Sequence, residues 1–525
     1  MNVQPLTITS GPTEIISYDP ATGEEVGRAP LRSSDYVKQA VQRARSAQPA
    51  WAALSYHERG RVILRARRIV LTHKDEIAAL ISRETGKPAA EALAMEVVPT
   101  LDAMRYFAKA TSHLLEPQKI DIGQYGLMGR SSRILFKPIG TIGIISPWNF
   151  PLGTPAVEVV MGLMAGNSVV LKPSELTPLV GLKIGDILNE AGLPKNVLEI
   201  VTGDGSSGAA LIDAQVDKII FTGSVGTGKR VAEAAAKHLT PVVLELGGKD
   251  PMIILADADV ERAASGAVWG AFANAGQACA SVERCYVHES IASEFLARVT
   301  RKTQLLRQST GETQDADIGP MSSERQLQIV EGHVNEAVRC GANVITGGHR
   351  AQNPAGFYYQ PTILTGVNHG MSIMREETFG PVLPVMTFKT DEDAIKLAND
   401  SGYGLTASVW TRNTSRGKQI AERIEAGTVM INEVLYTHGI AQTPWGGVKE
   451  SGYGRTHGRA GLLELVTAQH VHVNRVFFLR DLWWFRYNAT AAKLFQGLAT
   501  HFTTGSILRT LRLLPSIIRR LAERD

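Results

Sequence analysis

Three side chains have the types and surroundings that covalent catalysis needs. Cys279 sits in Asn274-Ala-Gly-Gln-Ala-Cys279-Ala-Ser281, flanked by alanines that give a thiol little steric cover. Such a cysteine suits a nucleophile; a buried, inert thiol is the other reading. Glu245 ends the apolar run Val242-Val243-Leu244. A carboxylate in that setting has a raised pKa and suits a general base, although a paired structural carboxylate fits the same pattern. Pro147-Trp148-Asn149-Phe150-Pro151 pins an asparagine between prolines, either a rigid mount for a donor amide or a turn.

Two glycine patterns point to phosphate. Gly203-Asp-Gly205-Ser-Ser-Gly208 has the G-x-G-x-x-G spacing of a dinucleotide turn. The acidic residue expected about 20 positions later is missing, so a tight turn bordering a nucleotide site is the expectation. Gly223-Ser224-Val-Gly-Thr-Gly228-Lys229 has the core of a phosphate-cradling loop, but Arg230 stands where a Ser or Thr should hold Mg²⁺. Nucleotide binding at a helix start survives this test; phosphohydrolase chemistry does not.

These residues must be carried by a large frame. The chain has 525 residues, 44% apolar and 20% charged, which excludes disorder and coiled coil. Its net charge of +4 is too weak for a nucleic-acid partner. Cys279, Cys285 and Cys340 form neither a disulfide framework nor a zinc motif, and no metal site is expected. No basic residue precedes Arg28, and no apolar run reaches a membrane span, so a cytoplasmic protein without a leader is expected.

From 35 to 115 the periodicity is helical, punctuated at Thr85-Gly86-Lys87-Pro88. Short apolar strands then alternate with helices: strands at 139–146, 168–172, 197–202, 218–222 and 241–246, with helices such as 180–191 and 228–238. A second round runs from 252 to about 434. Alternation of this kind predicts an α/β fold with two parallel-sheet lobes. The last segment differs. From Arg475 to Asp525 there are nine basic and three acidic residues, with Phe477, Phe478, Trp483, Trp484, Phe485, Tyr487, Phe495 and Phe502. Its stretch 507–521 is basic and amphipathic and is expected to break at Pro515. Packing on the body or on a partner subunit is one reading of this tail, and peripheral contact with a membrane interface is the other.

Taken together and in order, Pro147-Trp-Asn-Phe-Pro151, Lys172-Pro-Ser-Glu175, Phe221-Thr-Gly-Ser224, Glu245-Leu-Gly-Gly-Lys249, Gly276-Gln-Ala-Cys279, Glu376-Glu-Thr-Phe-Gly-Pro-Val382 and Pro444-Trp-Gly-Gly-Val-Lys-Glu-Ser-Gly452 make the chain resemble the aldehyde dehydrogenase superfamily from about Ile16 to Val473. The resemblance implies two Rossmann-like lobes with a β-hairpin oligomerisation arm: an NAD-binding domain at 1–119 and 137–247, an arm at 120–136 and 468–476, and a catalytic domain at 248–467. Residues 477–525 form an extension beyond the usual family ending. A homodimer or homotetramer is implied.

By the same resemblance Cys279 attacks the aldehyde, Asn149 and the Cys279 N–H hold the oxyanion, and Glu245 activates water to release the acid. Lys172 and Glu175 meet the adenosine ribose, Glu377 the nicotinamide ribose, and Phe379 the ring region. Gly223 and Ser224 open the helix facing the pyrophosphate, and Trp148 and Gly205 complete the cofactor set. Glu175 accepts from a free 2′-hydroxyl and repels a 2′-phosphate, which favours NAD, with NADP admitted by Lys172.

Leu152, Gly153, Thr154, Ala156, Val157 and Glu158 are expected at the aldehyde entrance. They offer no cation for a second carboxylate, and Glu158 stands where many relatives carry lysine. With small Ala278 and Ala280 beside the thiol, a medium- or long-chain or aromatic aldehyde is expected. Broad-specificity detoxification and succinate semialdehyde are the alternatives. A CoA-acylating dehydrogenase would not need Glu245, and a non-enzymatic nucleotide-binding protein would need none of the three chemical groups.

Overall fold

The computed structural model describes residues 13–308, 316–351, 356–478, 480–504 and 507–522. The expectation of no leader falls on the first residues, and 1–12 lie outside this range. The chain divides into two compact units. One comprises the residues up to Leu115 with Lys137–Thr467, and the other Glu116–Phe136 with Ala468–Asp525.

Apolar runs bounded by turns form two sheets in the larger unit. The first sheet has six strands in the order Gly452–Tyr453, Val242–Glu245, Lys218–Thr222, Thr141–Ile145, Ser168–Lys172, Leu198–Ile200. Its pairs are parallel except that Gly452–Tyr453 runs antiparallel to Val242–Glu245. The register sets Thr222 beside Glu245 at the carboxyl ends of two neighbouring strands. The second sheet has seven strands in the order Asn343–Thr346, Thr362–Thr365, Val382–Phe388, Val282–His288, Asp250–Ile254, Thr406–Trp410, Thr428–Ile431, antiparallel only at its first pair. Both are the crossover-connected parallel sheets that the alternation predicts.

Strand ends move by one to three residues from the sequence pattern. The expected strand 139–146 is Thr141–Ile145 and 197–202 is Leu198–Ile200; the helices expected at 180–191 and 228–238 are Pro178–Glu190 and Val225–Ala236. The helix Gly153–Ala165 is buried at all 13 positions, because it lies under the first sheet and meets protein on every side. It carries Glu158 into that interior.

The smaller unit holds the strands of a three-stranded sheet, in the order Val466–Asn474, Arg130–Pro138, Gln118–Ile120. The helix Gln124–Leu127 interrupts what the sequence suggests is a plain hairpin. Beyond the sheet, helices Ala489–Thr504 and Ile507–Ala522 pack on each other, and the second runs straight through Pro515. The expected break is therefore absent. A proline removes one helical hydrogen bond, and the packing of the two helices outweighs that loss. Arg520 is buried and donates to the carbonyls of Leu482 and Trp484. The Trp483 and Phe495 rings stack 5.5 Å apart. Phe477, Phe478, Trp484, Phe485 and Tyr487 stay exposed.

Candidate active site

A cavity of about 800 Å³ opens in the larger unit and brings together Trp148, Asn149, Gly223, Ser224, Glu245, Cys279, Glu377 and Phe379. Lys172, Glu175 and Gly205 are not among its lining residues. They stand at the end of strand Ser168–Lys172 and at the start of helix Gly205–Asp213, where Lys172 Nζ lies 3.1 Å from Glu175 Oε2 and its charge helps to hold the Asp204 carboxyl down.

Asn149 is fixed from behind. Its carbonyl oxygen accepts from Lys87 Nζ at 2.7 Å and from Asn274 Nδ2 at 3.0 Å. Lys87 is also paired with Glu96 at 2.7 Å, and neither side chain is exposed at all. Glu96, in the π-turn Leu93–Val97, accepts in addition from the N–H groups of Leu152 and Gly153 at 2.8 and 3.0 Å. An unpaired charge at this depth would be expensive, so the ion pair and its three further hydrogen bonds stand or fall together. Asn149 Nδ2 spends one hydrogen on Gln277 O at 3.0 Å, and an amide nitrogen carries a second.

Cys279 follows a strained turn. Asn274, Ala275 and Gly276 have φ of 53°, 54° and 72° in succession. A side chain at Gly276 would strike the Gly380 carbonyl, 2.1 Å from an ideal Cβ, so only glycine passes there. The amides of Asn274 and Gln277 hold this turn, each donating to a carbonyl 3.0 Å away, and left-handed non-glycine residues persist only under such constraint. The Cys279 N–H has no partner among the described residues. Burial pushes the Cys279 thiol well up, and the nearby carboxyls of Asp250, Glu377 and Glu245 push the same way against one N–H donated by Ala280. The resting sulfur is a thiol and needs an acceptor for its proton.

Glu245 is buried, and neither carboxyl oxygen has a hydrogen-bond partner among the described residues. Burial lifts it well above the usual carboxylate range, with Glu158 adding to the rise. Burial also raises Glu377 to about 8, although Gly248 N–H donates to it at 3.1 Å. Gly247 and Gly248 make this crowding feasible, since an ideal Cβ on the first would lie 2.3 Å from the Glu377 carboxylate and on the second 2.6 Å from the Cys279 carbonyl. Lys249 pairs with Glu283, which accepts the N–H groups of Thr378 and Phe379 at 2.8 Å and so seats Phe379 edge-on to Trp148.

The glycine-rich turns behave differently from each other. The helix Val225–Ala236 begins at Ser224, whose side chain does not cap it, and Ser224, Val225 and Gly226 line the cavity. An ideal Cβ on Gly226 would meet nothing within 4 Å. Open space before unpartnered helix-start N–H groups fits a pyrophosphate. Lys229 instead pairs with Glu450, away from any phosphate role. The G-x-G-x-x-G turn follows the edge strand Leu198–Ile200, and the Asp204 carboxylate already accepts from Ser206 N–H at 2.8 Å.

The entrance expectation needs correcting. Gly153, Thr154, Val157 and Glu158 line the cavity, but Leu152 and Ala156 do not, because the helical turn aims them into the core. Lys87, Glu96, Asn274, Gln277, Lys249 and Glu283 were not singled out from the sequence. The only trace of the first was the Thr85-Gly86-Lys87-Pro88 punctuation.

Strand ends of a parallel sheet opening on a cavity that holds a thiol and free helix-start N–H groups define a nucleotide-dependent enzyme. The chain belongs to the aldehyde dehydrogenase family, which its residues 8–471 match. It is 39% identical over 488 residues to 4,4'-diapolycopene aldehyde oxidase of a Methylomonas species, covering 92% of this chain and 90% of that one. A provisionally named NADP(+) succinate-semialdehyde dehydrogenase of Mycobacterium ulcerans is 38% identical over 459 residues, 87% and 88% of the two chains. An aldehyde dehydrogenase of Bacillus cereus solved as its NAD+ complex superposes with a TM-score of 0.85 at 35% identity, over 88% of this chain and 93% of that one.

Lys87→Met strands Glu96 without its counter-charge and removes one of the two donors to the Asn149 carbonyl. The expected cost is about 3–5 kcal/mol of stability, read as a fall in the thermal unfolding midpoint. Enzyme that still folds should lose about tenfold or more in kcat, with less change in KM, because the donor amide is no longer held in place.

Proposed function

We propose that the protein oxidises medium- or long-chain or aromatic aldehydes to carboxylic acids, with NAD⁺ preferred over NADP⁺. The observation that carries the substrate class is the cavity lining. Met95, Val98, Phe150, Val157, Trp269 and Tyr436 line it, and Val98, Trp269 and Tyr436 are 59%, 42% and 55% exposed, an apolar rim open to an incoming chain. No lysine or arginine lines it among the described residues, whereas Asp102, Glu158, Glu245, Glu376 and Glu377 do. A second carboxylate, as in succinate semialdehyde, finds no cation to pair with here, whatever the mycobacterial relative takes.

In this reading Cys279 Sγ adds to the aldehyde carbon as its proton passes to a base, Glu245 being the carboxyl at hand in the cavity. The oxyanion of the thiohemiacetal takes the second Asn149 amide hydrogen and the Cys279 N–H. The nicotinamide, when bound, supplies the acceptor for the hydride. Once Glu245 has passed the thiol's proton to solvent, it draws one from the water that attacks the resulting thioester and returns it to the departing sulfur as the acid leaves.

Trp148, Gly223, Ser224, Glu377 and Phe379 hold the dinucleotide on the cavity side, and Lys172, Glu175 and Gly205 hold its adenosine end. Pairing of Lys172 with Glu175 spends the cation that a 2′-phosphate would need, which supports NAD. On this assignment 1–119 and 137–247 bind the cofactor, 248–467 carry the nucleophile, and 120–136 with 468–476 join subunits of a homodimer or homotetramer. The exposed aromatics and basic excess of 477–525 serve peripheral contact between this cytoplasmic enzyme and an anionic lipid surface. Among the described residues no helix is long and apolar enough to cross a membrane.

Cys279→Ala is expected to abolish NADH formation with every aldehyde while NAD⁺ binding, measured calorimetrically, persists. In a panel of short, long, aromatic and succinate semialdehydes, kcat/KM should rise with chain length or ring size; preference for succinate semialdehyde would refute the apolar entrance. Deletion after Arg475 should leave turnover of a soluble aldehyde unchanged and end co-flotation with phosphatidylglycerol vesicles. A changed oligomeric mass with no lipid binding by the full chain would assign the tail to a partner subunit.

A further inference from the structure

One buried acid in the cavity has no part in the chemistry above. Glu158 lies midway along the helix Gly153–Ala165, only 3% exposed, with no cation paired to it among the described residues. Its Oε1 accepts from Thr222 Oγ1 at 3.3 Å, and its Oε2 has no hydrogen-bond partner. Thr222 is the residue in register with Glu245 on the adjoining parallel strand, so the two side chains leave the sheet on one face. Glu158, Thr222 and Glu245 all line the cavity. Two buried carboxyls with three unpartnered oxygens between them among the described residues therefore share one cavity, Glu158 bonded to Thr222 and Glu245 beside Thr222 in register.

We propose that Glu158 and Glu245 act as a carboxyl pair holding a single proton between them, with Glu158 a positioning residue that sets the pH at which Glu245 becomes a base. This rests on the reading of Glu245 as the deacylation base. Two ionised carboxyls side by side in a buried site are disfavoured, so the second proton leaves only at higher pH.

Other groups act on Glu245 from each neighbouring element. Arg455 opposes the carboxyls, but its guanidinium is committed to the Gly447 and Gly454 carbonyls at 2.9 and 2.6 Å. Glu464 adds to the repulsion and is itself paired with Lys218. Cys279 is a neutral thiol, and burial keeps His438 and His457, which line the same cavity, neutral. Glu158 is the largest single charge acting on Glu245 and carries no counter-ion, which makes it the controlling partner.

The test isolates deacylation from hydride transfer. The full chain is acylated at Cys279 with p-nitrophenyl octanoate, releasing p-nitrophenol, and loss of the acyl adduct is followed by intact mass from pH 5 to 9. Ionised Glu158 raises Glu245, so Glu158→Gln should move the acid limb of deacylation down by about one pH unit or more. Thr222→Val, which removes the bond favouring ionised Glu158, should move it the same way by less. A Glu158→Gln limb that coincides with wild type, or a uniform loss at every pH, overturns the pair. Glu245→Gln separates the two ideas. A stable adduct in that variant supports the base, while deacylation at the wild-type rate removes base and pair together.

Discussion

The backbone carbonyl of Asn149 is the point on which this site hangs. Two buried donors hold it, Lys87 from the Gly86-Lys87-Pro88 turn between two helices and Asn274 from the turn before the cysteine. Glu96 balances the lysine and at the same time accepts the N–H groups that start the helix after Asn149. Three distant parts of the sequence, 87–96, 149–153 and 274, meet at one oxygen and one carboxylate. A buried ion pair yields little net stability over an apolar equivalent. Its return here is geometric, because Asn149 and the turn that leads to Cys279 are fixed by one network and cannot drift apart.

That rigidity is matched by electrostatic tension. Glu245 and Glu158 are buried without a cation in direct contact, and Glu377 faces a lone backbone N–H. Three left-handed residues in a row precede the cysteine. Each feature costs stability; the three acids line one cavity and the left-handed turn leads to its cysteine, while the two sheets around it are apolar and regular. The fold thus concentrates its unfavourable terms where a reaction would use them. Carboxyls and a thiol all pushed above their usual ranges mean that the site favours protons over charge, ready to redistribute them once a polar reactant enters.

Much of this frame was legible in the sequence. The strands 168–172 and 218–222 appear with the predicted ends, since Asn167 and Pro173 bound the first and Asp217 and Gly223 the second. The cysteine, glutamate and asparagine could be named because each stands in a short local pattern. Lys87 and Glu96 could not, because their meaning depends on contacts to residues 62 and 56 positions away. Glu158 was visible as a departure from lysine, but its proximity to Glu245 follows from sheet register, which periodicity does not reveal. The break expected at Pro515 failed for a related reason: local propensity argued for a stop, and packing between the two last helices overrode it.

The acidic lining has a bearing on what leaves the cavity. Oxidation of an aldehyde turns a neutral entrant into an anion, and that anion is formed among Glu158, Glu245, Glu376 and Glu377, with no lysine or arginine in the described wall to retain it. The apolar rim favours entry of the uncharged chain, and a buried wall without a cation disfavours residence of the charged one. The same burial that holds the thiol protonated makes the cavity a one-way passage, in which the change of charge at the reacting carbon itself drives egress.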